Sequence, residues 1–127
     1  VIAASNRPED RAGVTAINGA LVNRFEHREI ILSVDAWVEW AISSELREEV
    51  VAFIRFRGDE LLLQHPNGVP KGTVSFATPR TWAKVSSKLN MGHSPEFEAV
   101  SIEGLVGQAP AAEFIGFLRT DRRCSTR

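Results

Sequence analysis

The sequence predicts a mostly α-helical chain, and three observations carry that prediction. Apolar residues recur at helical spacing through most of residues 35–120. Cap-plus-proline starts stand at Thr78-Pro79 and Ser94-Pro95. Strand-like patterning is confined to two short runs within residues 1–32. The expected architecture is therefore two strands and one short helix, followed by about five helices joined by short loops.

Taken in order, Val1–Ser5 reads as a short buried strand and Asn6–Val14 as a loop, with Pro8 and Gly13 as its turn residues. Ala16–Asn23 is a helix candidate, because Ile17, Leu21 and Val22 share a face and Thr15 can cap it. Phe25–Leu32 alternates and reads as a second strand. Two strands and a helix make too little sheet to stand alone, so they are expected to pack on the helices or to extend a larger sheet. Asp35 is expected to cap a helix carrying Trp37, Trp40 and Ala41. The next helix has Glu48 and Glu49 in its first turn, Val50, Phe53 and Ile54 as its stripe, and Gly58 at its end. Leu61–Leu63 suggests a helical turn inside a punctuated loop over residues 59–77. Pro79–Leu89 places Trp82, Val85 and Leu89 on one face. The Ser94 helix carries Phe97, Val100, Leu105 and Val106 and closes at Gly107. A last helix opens at Pro110 with Ala111, Phe114, Ile115 and Leu118 in register. Trp37, Trp40, Phe53, Trp82, Phe97, Phe114 and Phe117 are expected to form the core, since aromatics on helical stripes usually pack. Gly104, Gly107 and Gly116 would allow close helix contact.

Composition narrows the function classes. The 127 residues carry a formal net charge of -1 and 43% hydrophobic residues, which suits an ordinary folded domain. Neither a nucleic-acid stripe nor a membrane span is indicated. One cysteine, Cys124, and three scattered histidines give no disulfide and no zinc spacing; the expected compartment is the cytoplasm. No phosphate loop, GxGxxG segment or serine elbow is present. The paired carboxylates at Glu45, Glu48 and Glu49 read as helix-end acids.

Three residues remain as candidates. Asn6 follows the first strand, Arg24 follows the first helix, and Arg80 stands in the first turn of the Pro79 helix. A cation at a helix N-terminus opposes the dipole, so Arg80 suggests an anionic partner such as a phosphate or carboxylate. The plainer alternatives are a surface arginine paired with an acid such as Glu48, and a loop asparagine that caps its own turn.

Three segments, in this order, resemble the second half of an AAA+ ATPase module of the MoxR-like and dynein-related type. Ala3-Ala4-Ser5-Asn6-Arg7-Pro8-Glu9-Asp10 resembles its sensor 1 strand and loop. Leu21-Val22-Asn23-Arg24-Phe25 resembles its "LLNRF" arginine-finger segment. Phe76-Ala77-Thr78-Pro79-Arg80-Thr81-Trp82 resembles the "TPR" start of its sensor 2 helix. The resemblance spans roughly residues 1–120, and the last helix, Ala111–Arg119, also looks familiar for this group. The family's upstream phosphate loop and acidic magnesium-binding strand have no counterpart here, as a chain cut inside the ATPase core would show.

The resemblance implies that residues 1–33 are the end of the α/β core, residues 34–120 a helical lid bundle, and residues 121–127 a flexible tail. It implies that Asn6 orients the attacking water and that Arg24 reaches the nucleotide of a neighbouring subunit. Arg80 would read the γ-phosphate within its own subunit. Arg7 or Arg11 could line the subunit interface instead. ATP and magnesium would belong to the full-length parent and not to this chain alone, which is expected to be inactive. The parent would hydrolyse ATP as a homo-oligomeric ring, expected to be a hexamer, to remodel an unidentified client protein. The alternative, from a different class, is a self-contained helical adaptor that binds a protein partner in a groove between helices.

Overall fold

The computed structural model describes residues 1–7, 10, 13, 15 and 17–125. Local chemistry sets the helix starts. Helix α1, Gly19–Val22, is a single turn capped by Asn18, whose Oδ1 accepts from the Ala20 N–H at 2.8 Å. Helix α2, Val34–Ser43, is capped by Ser33, whose Oγ accepts from the Ala36 N–H; Asp35 sits in the first turn instead of capping it. Helix α3, Glu48–Arg57, opens with two acids and closes with Arg55 and Arg57, matching both dipole ends. Helix α4, Asp59–Leu62, is the turn foreseen at Leu61–Leu63. Helix α5, Pro79–Asn90, begins with a reciprocal box: Thr81 N–H donates to Thr78 Oγ1 at 3.1 Å, and Thr78 N–H donates to Thr81 Oγ1 at 2.8 Å. Helix α6, Pro95–Val106, is capped by Ser94. Helix α7, Gln108–Ser125, starts before Pro110 and runs on past residue 121, where the sequence reading began a tail.

Helices α5, α6 and α7 pack in sequence, α2 packs on α3, and α3 joins the two groups by touching both α5 and α7. The core lies around α3. Phe53 meets Trp82 at a centroid distance of 5.4 Å and Phe114 at 5.2 Å, and Trp82 meets Phe114 edge-on at 5.5 Å. All three rings are essentially fully buried. Two buried polar links fix this packing. The Trp82 indole N–H donates to the Leu61 carbonyl at 2.6 Å. Ser86, the buried polar residue of α5, accepts from the Arg47 N–H at 2.8 Å and so fastens the α2–α3 connection to α5. The connection over residues 64–77 is closed at its base: the Gln64 N–H donates to the Ala77 carbonyl, and the Ala77 N–H donates to Gln64 Oε1. Gly107 lets α6 end against this connection. Its φ is +91°, and a Cβ there would stand 3.1 Å from the Ser75 carbonyl oxygen.

The fold class differs from the expectation in one respect. Among the described residues there is no β-strand, so the two-strand remnant over residues 1–5 and 25–32 is not formed. Alternation describes side chains, whereas a strand also needs a neighbour to take its backbone hydrogen bonds. These two runs have no such neighbour, and their apolar residues lie open: Ile30 is 95% exposed, and Val1, Ile2 and Ile31 are similarly bare. Within 1–32, every described residue except Arg7, Asp10 and Leu32 is exposed. The expected Ala16–Asn23 helix shrinks to the single turn of α1 for the same reason, since Ile17, Leu21 and Val22 find nothing to pack against. Trp40 and Phe97 also depart from the expected core, each about half exposed on the outer side of its helix.

Candidate functional site

The described part of the N-terminal arm, residues 1–32, is held by one side chain. The Arg7 guanidinium donates to Asp10 Oδ1 at 2.8 Å and to the Pro66 carbonyl at 2.7 Å, and it reaches Glu29 Oε1 at 3.5 Å. The Arg7 N–H donates to Asp10 Oδ2 at 3.0 Å. These Arg7 hydrogen bonds hold the Asp10 carboxyl below its ordinary 3.8. One arginine thereby ties the loop after residues 1–5, the segment around Glu29 and the base of the 64–77 connection together. Because Gln64 is bonded to Ala77, and Thr78 caps α5, this clamp sets Asn6 at the same end of the molecule as the start of α5.

Each sequence candidate can now be placed. Asn6 is exposed, adjacent to the clamp, and its amide makes no hydrogen bond among the described residues. Arg24 is exposed just beyond α1 and makes no ion pair among the described residues. Arg80 is exposed in the first turn of α5, and no acid, Glu48 included, pairs with it among the described residues. No contact joins these three to one another. Arg11 lies outside the described residues, while Arg7 is the clamp itself. The chemistry available at the start of α5 is a guanidinium with open donors beside a positive helix end, a setting that favours an anionic oxygen.

A second feature was not foreseen. Between α3 and α7 lies an apolar cleft of about 470 Å³, floored by Phe53, Phe117 and Gly116. Phe56 stands 75% exposed at its edge and stacks on Phe117 with centroids 6.3 Å apart. Arg57 and Glu113 close one rim as an ion pair at 2.9 Å. Its sequence signals were weak: Phe56 falls off the Val50–Ile54 stripe, and Gly116 interrupts an otherwise regular helix.

Among the described residues, no cluster of three or more metal-binding side chains occurs and no helix is long and apolar enough to cross a membrane. No known protein family, curated protein or solved structure matches the chain.

Proposed function

We propose that this chain is a helical module that works by docking onto other protein surface, the docking element being its N-terminal arm. One observation carries this reading: the arm exposes Val1, Ile2, Phe25, Ile30 and Ile31 together, beside a bundle that already has its own core. A contiguous apolar segment of this kind marks an interaction site. Its extended backbone, without ladder partners, suits an edge-to-edge or groove-bound complex. The bundle supplies rigidity, and the Arg7 clamp sets where the arm leaves it. Hydrogen exchange on the chain alone and on the assembly purified from its source tests this. Fast exchange of residues 1–32 alone and strong protection in the assembly is the expected result; equally fast exchange in both would overturn it.

A second, more specific reading is favoured by Arg80, an uncompensated cation at the start of a helix. In it the bundle is the lid of an AAA+ ring ATPase and the arm belongs to that enzyme's core. Asn6 then orients water, Arg24 acts on the neighbouring subunit's nucleotide and Arg80 reads the γ-phosphate, with magnesium and the phosphate loop supplied from outside this chain. The ring would act on a client protein. In a longer chain that carries a phosphate loop, Arg24→Ala is expected to lower turnover by about a thousandfold or more with assembly intact. Arg80→Ala is expected to lower it as well. Wild-type turnover in both variants sinks this reading and leaves the first standing.

A further inference from the structure

The bundle carries two unlike surfaces that fit each other. Helix α6 is apolar on both sides: Ile102 and Val106 face the core, while Phe97 and Val100 face water, Val100 at 71% exposure. A helix apolar all round is ordinarily covered all round. Gly104 continues this outer ridge one turn beyond Val100 and is exposed, with no atom within 4 Å of the Cβ it lacks. Glu96 and Glu103 flank the ridge, and α6 holds no Lys or Arg. The α3–α7 cleft is the counterpart. It is apolar at Phe56 and Phe117, it has its own open helical glycine in Gly116, and Arg57 stands on its rim. Arg123, seven residues after Gly116, extends the same side of α7 toward its basic last turn. The cleft takes one acid, Glu113, against these two cations.

We propose that the α6 ridge of one copy of this chain seats in the α3–α7 cleft of the next, with Glu96 and Glu103 meeting Arg57 and Arg123. The charge complementarity selects a second copy: the chain presents an acid-flanked apolar ridge and a cation-rimmed apolar cleft on different helices. The two helical glycines fit the same arrangement. Each costs helix stability, neither serves packing within the chain, and together they let two helix backbones approach closely. Because ridge and cleft are different surfaces, the contact is heterologous and propagates head to tail, closing into a ring or growing as a filament. The contact uses neither the arm nor a nucleotide, so its failure and that of the docking reading are separate results.

Gly104→Arg blocks the ridge and Gly116→Glu blocks the cleft. Both substitutions enter open space on a helix and favour helical backbone, so both variants are expected to fold. Sedimentation of the full chain across a concentration series is the test. Wild type is expected to self-associate, more weakly in high salt, and each variant alone to associate about tenfold or more weakly. Mixed, the two variants are expected to form a one-to-one dimer that stops at two, because only one ridge and one cleft remain. Wild type that stays monomeric at millimolar concentration would overturn the proposal. So would variants that associate as wild type does, or a mixture that forms no dimer.

Discussion

Glu45 is a non-glycine residue of this chain at a positive φ, 57°, where α2 ends. The geometry there is a left-handed cap: the Leu46 N–H reaches back to the Ala41 carbonyl at 3.0 Å and the Glu45 N–H to the Ile42 carbonyl at 3.1 Å. A side chain in that conformation costs about 1 kcal/mol. Glu45→Gly is therefore expected to raise the melting temperature, by a gain of up to about 1 kcal/mol less the extra unfolded-chain entropy. Trp82 sits at the opposite extreme. It combines full burial, two aromatic neighbours and the hydrogen bond to Leu61. Trp82→Phe leaves the Leu61 carbonyl without its donor and opens a void, and a loss of about 2–4 kcal/mol is expected in denaturant unfolding.

At the scale of elements, α3 is fixed at its start by charge. The Arg47 guanidinium donates to both Glu49 carboxylate oxygens, at 2.8 and 3.2 Å, and holds that carboxyl below its ordinary 4.5. A depressed carboxylate stabilises the fold at pH above 4.5 and loses that contribution as pH falls through its folded value. The pair is partly exposed, so its share is about 0.5–1 kcal/mol. Glu49→Gln should be less stable than wild type by that amount at neutral pH, and the difference should vanish in acid. Paired thermal melts at pH 7 and pH 3 would read both.

Most helix boundaries were legible because their chemistry is local. Thr78-Pro79, Ser94-Pro95, Gly58 and Gly107 each act on backbone groups within one turn. The α2 start shows the limit of that logic: Ser33 and Asp35 are both competent caps, and the extended backbone at Ser33 decides between them. The strands were misread because period-two alternation is a local property and ladder pairing is not. Trp40 and Phe97 were misplaced because α2 and α6 are apolar on more than one side, so spacing alone cannot say which side is covered. The α3–α7 cleft was out of reach for a different reason. Its two walls, Phe53–Arg57 and Glu113–Thr120, are far apart in sequence and meet only through packing on Phe114 and Phe117. Of the candidate residues, the sequence located the exposed arginines, while the Arg7 contact with Pro66 spans 59 positions and carries no local signal.

At the scale of the molecule, the chain divides by burial. The hydrophobic core runs from Trp37 to Leu118, with Leu32 and Val34 packed at its edge, and the arm before them contributes none of it. The arm's one resolved tether is the Arg7 clamp, in which Asp10 accepts as a carboxylate. Lowering the pH through the depressed Asp10 value should loosen the tether before the bundle melts. Chemical-shift changes at Pro66–Gly68 in an acid titration would report it, and Arg7→Ala should show the loosened shifts already at neutral pH.

The account's central claim is a closed helical bundle bearing an open arm that needs partner surface. Residue-resolved hydrogen exchange of the whole chain tests it most directly. The prediction is slow exchange within α2, α3, α5, α6 and α7, and exchange near the unstructured rate over residues 1–32 apart from those bonded around Arg7 and α1. Protection of residues 1–32 equal to that of the bundle would contradict the claim.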